Sequence, residues 1–299
     1  MTPDITHADT HRPTEAFRDF LDEEIHRAFG HHALRRRLRL AAVIMVSVAI
    51  GTTGGLASAQ IREGSQRDSL LDAARADAAL VSMRVDLARA QLAEQRRAVA
   101  VGAMSTETAA GAVLQLKDVE SQLARASLNI DEIKASGRAP RDELNAPLVN
   151  GHDFVKDRIL AQAMAAQVRM QTAESAQTEV ARRVRAGVVS ELANQEAELD
   201  VARAQREILV ISTRIQLRKE FLEKQTPVDQ LLQQLVQAEL RADLGVAQRA
   251  LSVARARAAT LDKRRAAGVG DELELMRAQL EMKEREVELQ RLLQRLGKK

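Results

Sequence analysis

The sequence predicts an all-α chain in which one N-terminal transmembrane helix is followed by elongated antiparallel coiled-coil hairpins. Three observations carry that expectation. A short phrase occurs three times: VAVGAMSTE around Gly102, VRAGVVSEL around Gly187 and RAAGVGDEL around Gly268. The stretches between the copies are rich in Ala, Leu, Arg, Glu and Gln, the composition of long helices packed side by side. Residues 40–59, LAAVIMVSVAIGTTGGLASA, carry no charge.

The first 34 residues form a tail holding one predicted amphipathic helix, Thr14 to Phe29, behind Pro13. Phe17, Phe20, Leu21, Ile25, Ala28 and Phe29 share one face at helical spacing, with Glu15, Asp19, Asp22 and Glu23 opposite. An acidic face suits anionic lipid poorly, so this face is expected to hold a protein partner or a second copy of the chain. His7, His11, His26, His31 and His32 also lie here. His7 and His11 are four apart, but no third ligand stands at a telling distance, and no metal is predicted.

Residues 35–60 are the membrane region. The uncharged run is long enough to cross a bilayer as a helix, and Arg35, Arg36, Arg37 and Arg39 precede it. The positive-inside rule then places the N-terminus in the cytoplasm and the chain after Gln60 outside it, as for a single-pass protein of a bacterial inner membrane. Two readings compete for the segment. As a permanent anchor it carries small residues every fourth position, Ser47, Gly51, Gly55 and Ala59, a stripe suited to packing on another membrane helix. As a signal peptide it ends in Ala57-Ser58-Ala59, a pattern suited to cleavage. The charged region ahead of it is longer than a signal peptide usually has.

Six helices are expected after Gln60: Ser65 to Val101, Ser105 to Lys134, Phe154 to Arg185, Ser190 to Lys224, a fifth capped and started by Thr226-Pro227, and Asp271 to Leu296. They group into hairpins over residues 61–136, 153–225 and 226–299, with an irregular connector at 137–152. Each hairpin turns at a repeated glycine, which can take the left-handed conformation that ends a helix. Ser105, Ser190 or Asp271 follows three residues later to cap the next helix. Arg97, Arg182 and Lys263 stand five residues before the glycines. In the fifth helix Leu240, Leu244, Ala247, Leu251, Ala254, Ala258 and Leu261 alternate spacings of four and three, a coiled-coil seam. Leu273, Met276, Leu280 and Val287 are expected to continue it across Gly268.

The composition excludes several classes of function. Trp and Tyr are absent and Phe occurs five times, so the aromatic contribution to a globular core is missing. A formal net charge of +3 with interspersed Arg and Glu gives no one-sided basic patch for nucleic acid. The absence of Cys removes thiol catalysis, disulfides and Cys-ligated zinc. No enzyme is expected, because the only histidine outside the tail, His152 beside Asp153, lies in a loop without a nucleophile. Asp153 reads as the cap of the third helix, and Met164 and Met170 as seam fillers rather than metal ligands. No cofactor is predicted.

RVRAGVVSEL and the following ANQEAELDVARAQREIL resemble the helical repeat of TolC-type outer-membrane efflux proteins. In that family an Arg-x-x-Ala-Gly-x-x-Ser pattern marks a periplasmic hairpin tip where an adaptor docks. Arg183, Ala186, Gly187, Val188, Ser190 and Leu192 match it, as do Arg264, Ala267, Gly268, Val269, Asp271 and Leu273; the copy at Gly102 and Ser105 is looser. The family's repeats lie farther apart because they include barrel strands, whose aromatic girdles this chain lacks. The resemblance therefore implies the tips but not the channel. It points to Arg97, Gly102, Ser105, Arg183, Gly187, Ser190, Arg264, Gly268 and Asp271 as partner-binding positions. The expected function is a membrane-anchored periplasmic scaffold or adaptor within a larger envelope assembly, one candidate being efflux. The alternative is a signalling protein whose cytoplasmic helix holds a partner while the rod senses envelope state. Membrane and envelope proteins are the expected partners, with a second copy of the chain a further candidate.

Overall fold

The computed structural model describes residues 57–297, and this part of the chain is all-helical. Six helices follow one another: α1 Ala57–Ala100, α2 Thr106–Ser136, α3 Phe154–Arg185, α4 Glu191–Lys224, α5 Val228–Ala266 and α6 Glu272–Gly297. Among the described residues there is no strand, only an isolated bridge between Val149 and His152. None of these helices is long and apolar enough to cross a membrane. The uncharged run lies outside the described residues except for its end, because α1 begins at Ala57. Ser47, Gly51 and Gly55, the five histidines of the tail and the Phe17, Phe20, Leu21, Ile25 and Phe29 face also lie outside them; Ala59 falls in the first turn of α1.

The helices form a single row. From α2 to α6 each packs on the next in sequence, with no other pairing among these five, and α1 joins the row through side-chain bonds to α2. The bonds between neighbours show that successive helices run antiparallel. Arg67 near the start of α1 donates to the Lys134 carbonyl at the end of α2 (2.7 Å), while Arg89 meets Glu120 (3.2 Å). Arg169 of α3 reaches Asp118 of α2 (2.9 Å) and Glu207 of α4. Arg257 of α5 reaches Glu196 of α4 (2.7 Å) and Glu281 of α6 (3.1 Å). Each of these two arginines therefore ties three consecutive helices. Burial opposes the charge of Arg169, yet its hydrogen bonds to Glu207 and Asp118 outweigh it and hold the guanidinium above its ordinary pKa.

A row needs inner helices with two apolar faces, and alanine-rich sequence supplies them. α3 buries Ala161 and Ala165 with Arg158 along one line, and Val155, Ile159, Ala166 and Met170 along another. α5 buries Leu240, Ala247, Leu251, Ala254 and Ala258 on the line that the periodicity predicts, and Ala242 and Val253 on a second. The outermost helices bury one line each. In α1 this line is Leu71, Val85, Ala88 and Leu92.

Two buried arginines fix the end of the row where the 137–152 connector lies. Gly137 (φ 69°) closes α2, its N–H donating to the Ile133 carbonyl. The connector then wraps the Arg158 guanidinium, which donates to Asp142, to Glu132 and to the Arg141 carbonyl. Arg218 donates through Nε to both Asp153 oxygens (3.1 and 3.0 Å) and through Nη1 to the Leu144 and Ala146 carbonyls. Buried charge persists only when it is paired in this way.

Three expectations are corrected. Leu273, Met276, Leu280 and Val287 do not pair with α5: they are 61%, 57%, 61% and 44% exposed, and Leu275 and Ala278 are buried in their place. Thr226-Pro227 does not start α5 as expected. Gln225 takes the left-handed conformation (φ 50°) that closes α4, Pro227 occupies the N-cap itself, and no side chain caps α5. Met164 is not a seam filler but faces outward, whereas Met170 is buried. Asp153 caps α3 as its position implies, and its carboxylate also holds Arg218, while His152 pairs with Asp157 (2.8 Å).

Candidate interaction site at the three glycine turns

The three glycine turns have one hydrogen-bonding pattern. Gly102, Gly187 and Gly268 have φ of 73°, 70° and 75°, in the left-handed region where a Cβ is strained. At each turn the glycine N–H donates to the carbonyl three residues back: Val99, Val184 and Arg265. The next N–H donates to the carbonyl five residues back: Ala103 to Ala98, Val188 to Arg183 and Val269 to Arg264. This paired closure satisfies carbonyls that a helix end otherwise leaves open. The residue before each glycine donates to Arg97, Arg182 or Lys263. The first copy is loose in sequence but identical in backbone bonding.

The following helices restart as the phrase predicts. Ser190 accepts from the Ala193 N–H (3.4 Å) and Asp271 from the Leu273 N–H (2.9 Å). In the first turn the Ser105 carbonyl accepts from Ala109. Basic residues close the incoming helices: Arg97 on α1; Arg182, Arg183 and Arg185 on α3; Lys263, Arg264 and Arg265 on α5. Acids open the outgoing ones, Glu191 on α4 and Glu272 and Glu274 on α6. Both placements complement the helix dipoles. A hydrogen bond from Arg182 holds the Glu179 carboxyl below its ordinary pKa.

Antiparallel alternation brings all three turns to one end of the row, opposite the connector. Arg169 lies 18 positions before Gly187, and its partner Asp118 lies 16 positions after Gly102. Arg257 lies 11 positions before Gly268, and its partner Glu196 lies 9 after Gly187. The turns are therefore level to within about a helical turn of 3.6 residues. Successive turns are two helices apart, roughly 16–20 Å at ordinary helix spacing. Every tip residue singled out from the sequence thus reaches the same end: Arg97, Gly102 and Ser105; Arg183, Gly187 and Ser190; Arg264, Gly268 and Asp271.

Sequence reading passed over two features. One is a valine at each turn: Val101, Val188 and Val269 are 78%, 67% and 79% exposed. In this kind of turn the residue after the glycine often packs back on the helix, but the facing positions here are Arg183 and Arg264, and the valines stay in solvent. Their matching offset from Gly187 and Gly268 was the available signal. The other is Gly270, where a Cβ would lie 2.5 Å from the Arg265 backbone nitrogen. Val189 holds the equivalent place in the second turn, so the third turn is the tighter one. Beside it lies a groove of about 410 Å³ lined by Leu192, Leu261, Arg264, Glu274, Arg277 and Ala278 among others.

The tips present exposed apolar and charged side chains to solvent. Among the described residues there is no group of His, Asp and Glu placed to hold a metal ion. In comparisons with protein-family models, curated proteins and solved structures, no match to the chain is found.

Proposed function

We propose that the chain is a non-enzymatic, membrane-anchored coiled-coil scaffold of the bacterial envelope whose three glycine tips dock another helical protein. The observation that supports this reading best is the level set of exposed valines at one end of the row, next to helix ends that carry Arg97, Arg182 to Arg185 and Lys263 to Arg265. A partner that fits would present short apolar side chains flanked by carboxylates. The resemblance of RVRAGVVSEL to the tips of TolC-type proteins points the same way and suggests an efflux or secretion assembly. The absence of barrel aromatics argues that the chain is an attachment to such an assembly, not its channel.

The membrane part of the proposal rests on the 40–59 run and the four arginines before it. α1 begins at the end of the row opposite the tips. The 32 residues of α3 give a reach of about 48 Å at 1.5 Å per residue.

The test is photo-crosslinking from positions 188 and 269 in native membranes, with position 164 as a mid-helix control. A stoichiometric partner should crosslink from the two tips only, and should be lost in Val188→Asp/Val269→Asp without change in helicity. Equal capture from all three positions, or recovery unaffected by the double substitution, would remove the docking reading. Release of residues 60–299 in soluble form would remove the anchor.

A further inference from the structure

α1 and α6 each carry a second apolar stripe that the other described residues leave exposed. On α1 it is Leu80, Met83 and Leu87, which are 55%, 61% and 58% exposed. On α6 it is Leu273, Met276, Leu280 and Val287. In α1, Met83 and Leu87 flank buried Val85 at a distance of two positions. In α6, Leu273 and Met276 precede buried Leu275 and Ala278 by two. Two positions are about 200° around a helix of 3.6 residues per turn, so each open stripe lies on the face opposite the buried one. The edge helices thus have the two-faced build of the inner helices, with one face unfilled.

We infer that the two open stripes are halves of a single interface, α6 of one copy packing against α1 of the next. Polarity supports this occupant. The row has an even number of alternating helices, so the outgoing α6 and incoming α1 are antiparallel, as every other neighbouring pair is. Copies added this way keep all glycine turns at one end. Level supports it too: Met83 lies 19 positions before Gly102 and Val287 lies 19 after Gly268. Because the joined faces differ, the contact is head-to-tail, and repetition closes a ring or extends a filament. A two-fold dimer through α6 would instead leave both α1 stripes open. This inference concerns the sides of the row and does not rest on the docking of its tips.

The full chain has no cysteine, so introduced pairs report without background. Met83→Cys/Val287→Cys, purified in mild detergent and oxidised, should give a disulfide ladder of dimers and higher species, while either single variant should not. Leu280→Glu, at an exposed position, should abolish assembly and return the protein mass to 32.9 kDa with helicity unchanged. The inference is overturned if the double variant stays unlinked, if it forms the disulfide within one chain, or if a single variant dimerises as readily. Failure to capture any tip-specific partner, with the ladder intact, would count against the proposed function alone.

Discussion

Arg218 makes the sharpest prediction about stability. Its guanidinium side chain is 1% exposed and fixes three groups distant in sequence: Asp153 at the start of α3 and the Leu144 and Ala146 carbonyls of the connector. Arg218→Met keeps much of the volume but removes every donor. The Asp153 carboxylate, 15% exposed, keeps its bond from the Lys156 N–H and loses its countercharge. Breaking a buried pair from one side costs about 3–5 kcal/mol. Two unsatisfied carbonyls would add about 1–3 kcal/mol each if they stayed buried. The connector can lift and admit water, so the expected loss stays near about 3–5 kcal/mol and appears as local opening. Urea unfolding followed by helicity gives the loss, and hydrogen exchange locates it: amides of residues 138–152 should exchange faster while those near the tips do not change. Adding Asp153→Asn retains a capping side chain and removes the stranded charge, so the double variant should recover part of the loss. A cost below about 1 kcal/mol with connector protection unchanged would refute the argument, as would a double variant less stable than Arg218→Met.

Gly187→Ala should cost about 1–2 kcal/mol from left-handed strain alone, since no atom lies within 4 Å of the added carbon; an unchanged urea midpoint would contradict the turn geometry. Gly270→Ala should cost about 1–3 kcal/mol by crowding against the Arg265 backbone, whereas Val189→Ala at the equivalent place should be nearly neutral. Asp271→Ala should lose about 1 kcal/mol of capping, seen as faster hydrogen exchange in the first turn of α6. Two carboxyl groups predict the acid response. Burial opposes ionisation of Glu120, but hydrogen bonds from Lys117 and Arg89 outweigh it; hydrogen bonds from Lys283 and Arg255 lower Glu286. Both folded pKa values therefore lie below the ordinary 4.5. Their contribution is fully present above that pH and lost as pH falls below it through the folded values. Urea midpoints that stay level or rise between pH 4.5 and 3 would refute this.

The glycine turns and their caps were legible because each is a local event, complete within about six residues. Asp153, Ser190 and Asp271 cap as their positions imply, and α3 runs over its predicted span. The partner face of α6 was not legible. Leu273, Met276, Leu280 and Val287 form a more apolar series than the true facing line, which includes Ala278 and the half-buried Arg285. A helix with two opposed stripes has no single periodic answer, so choosing the more hydrophobic one failed. The connector was opaque for another reason. Its fixing points, Arg158 and Arg218, lie on helices where arginine ordinarily marks solvent, and nothing local signals that a distant loop will cover them. At Thr226-Pro227 the pattern fits two helix starts one residue apart, and the left-handed Gln225 decides between them.

A row in which helices meet only adjacent ones has a mechanical consequence. Cooperativity travels along one dimension, as in repeat proteins, so stability is a sum of successive interfaces rather than of one shared core. Damage at one margin weakens its neighbour first and fades with distance. Such a sheet of helices frays inward from its two borders, and anything that covers a border arrests the fraying there.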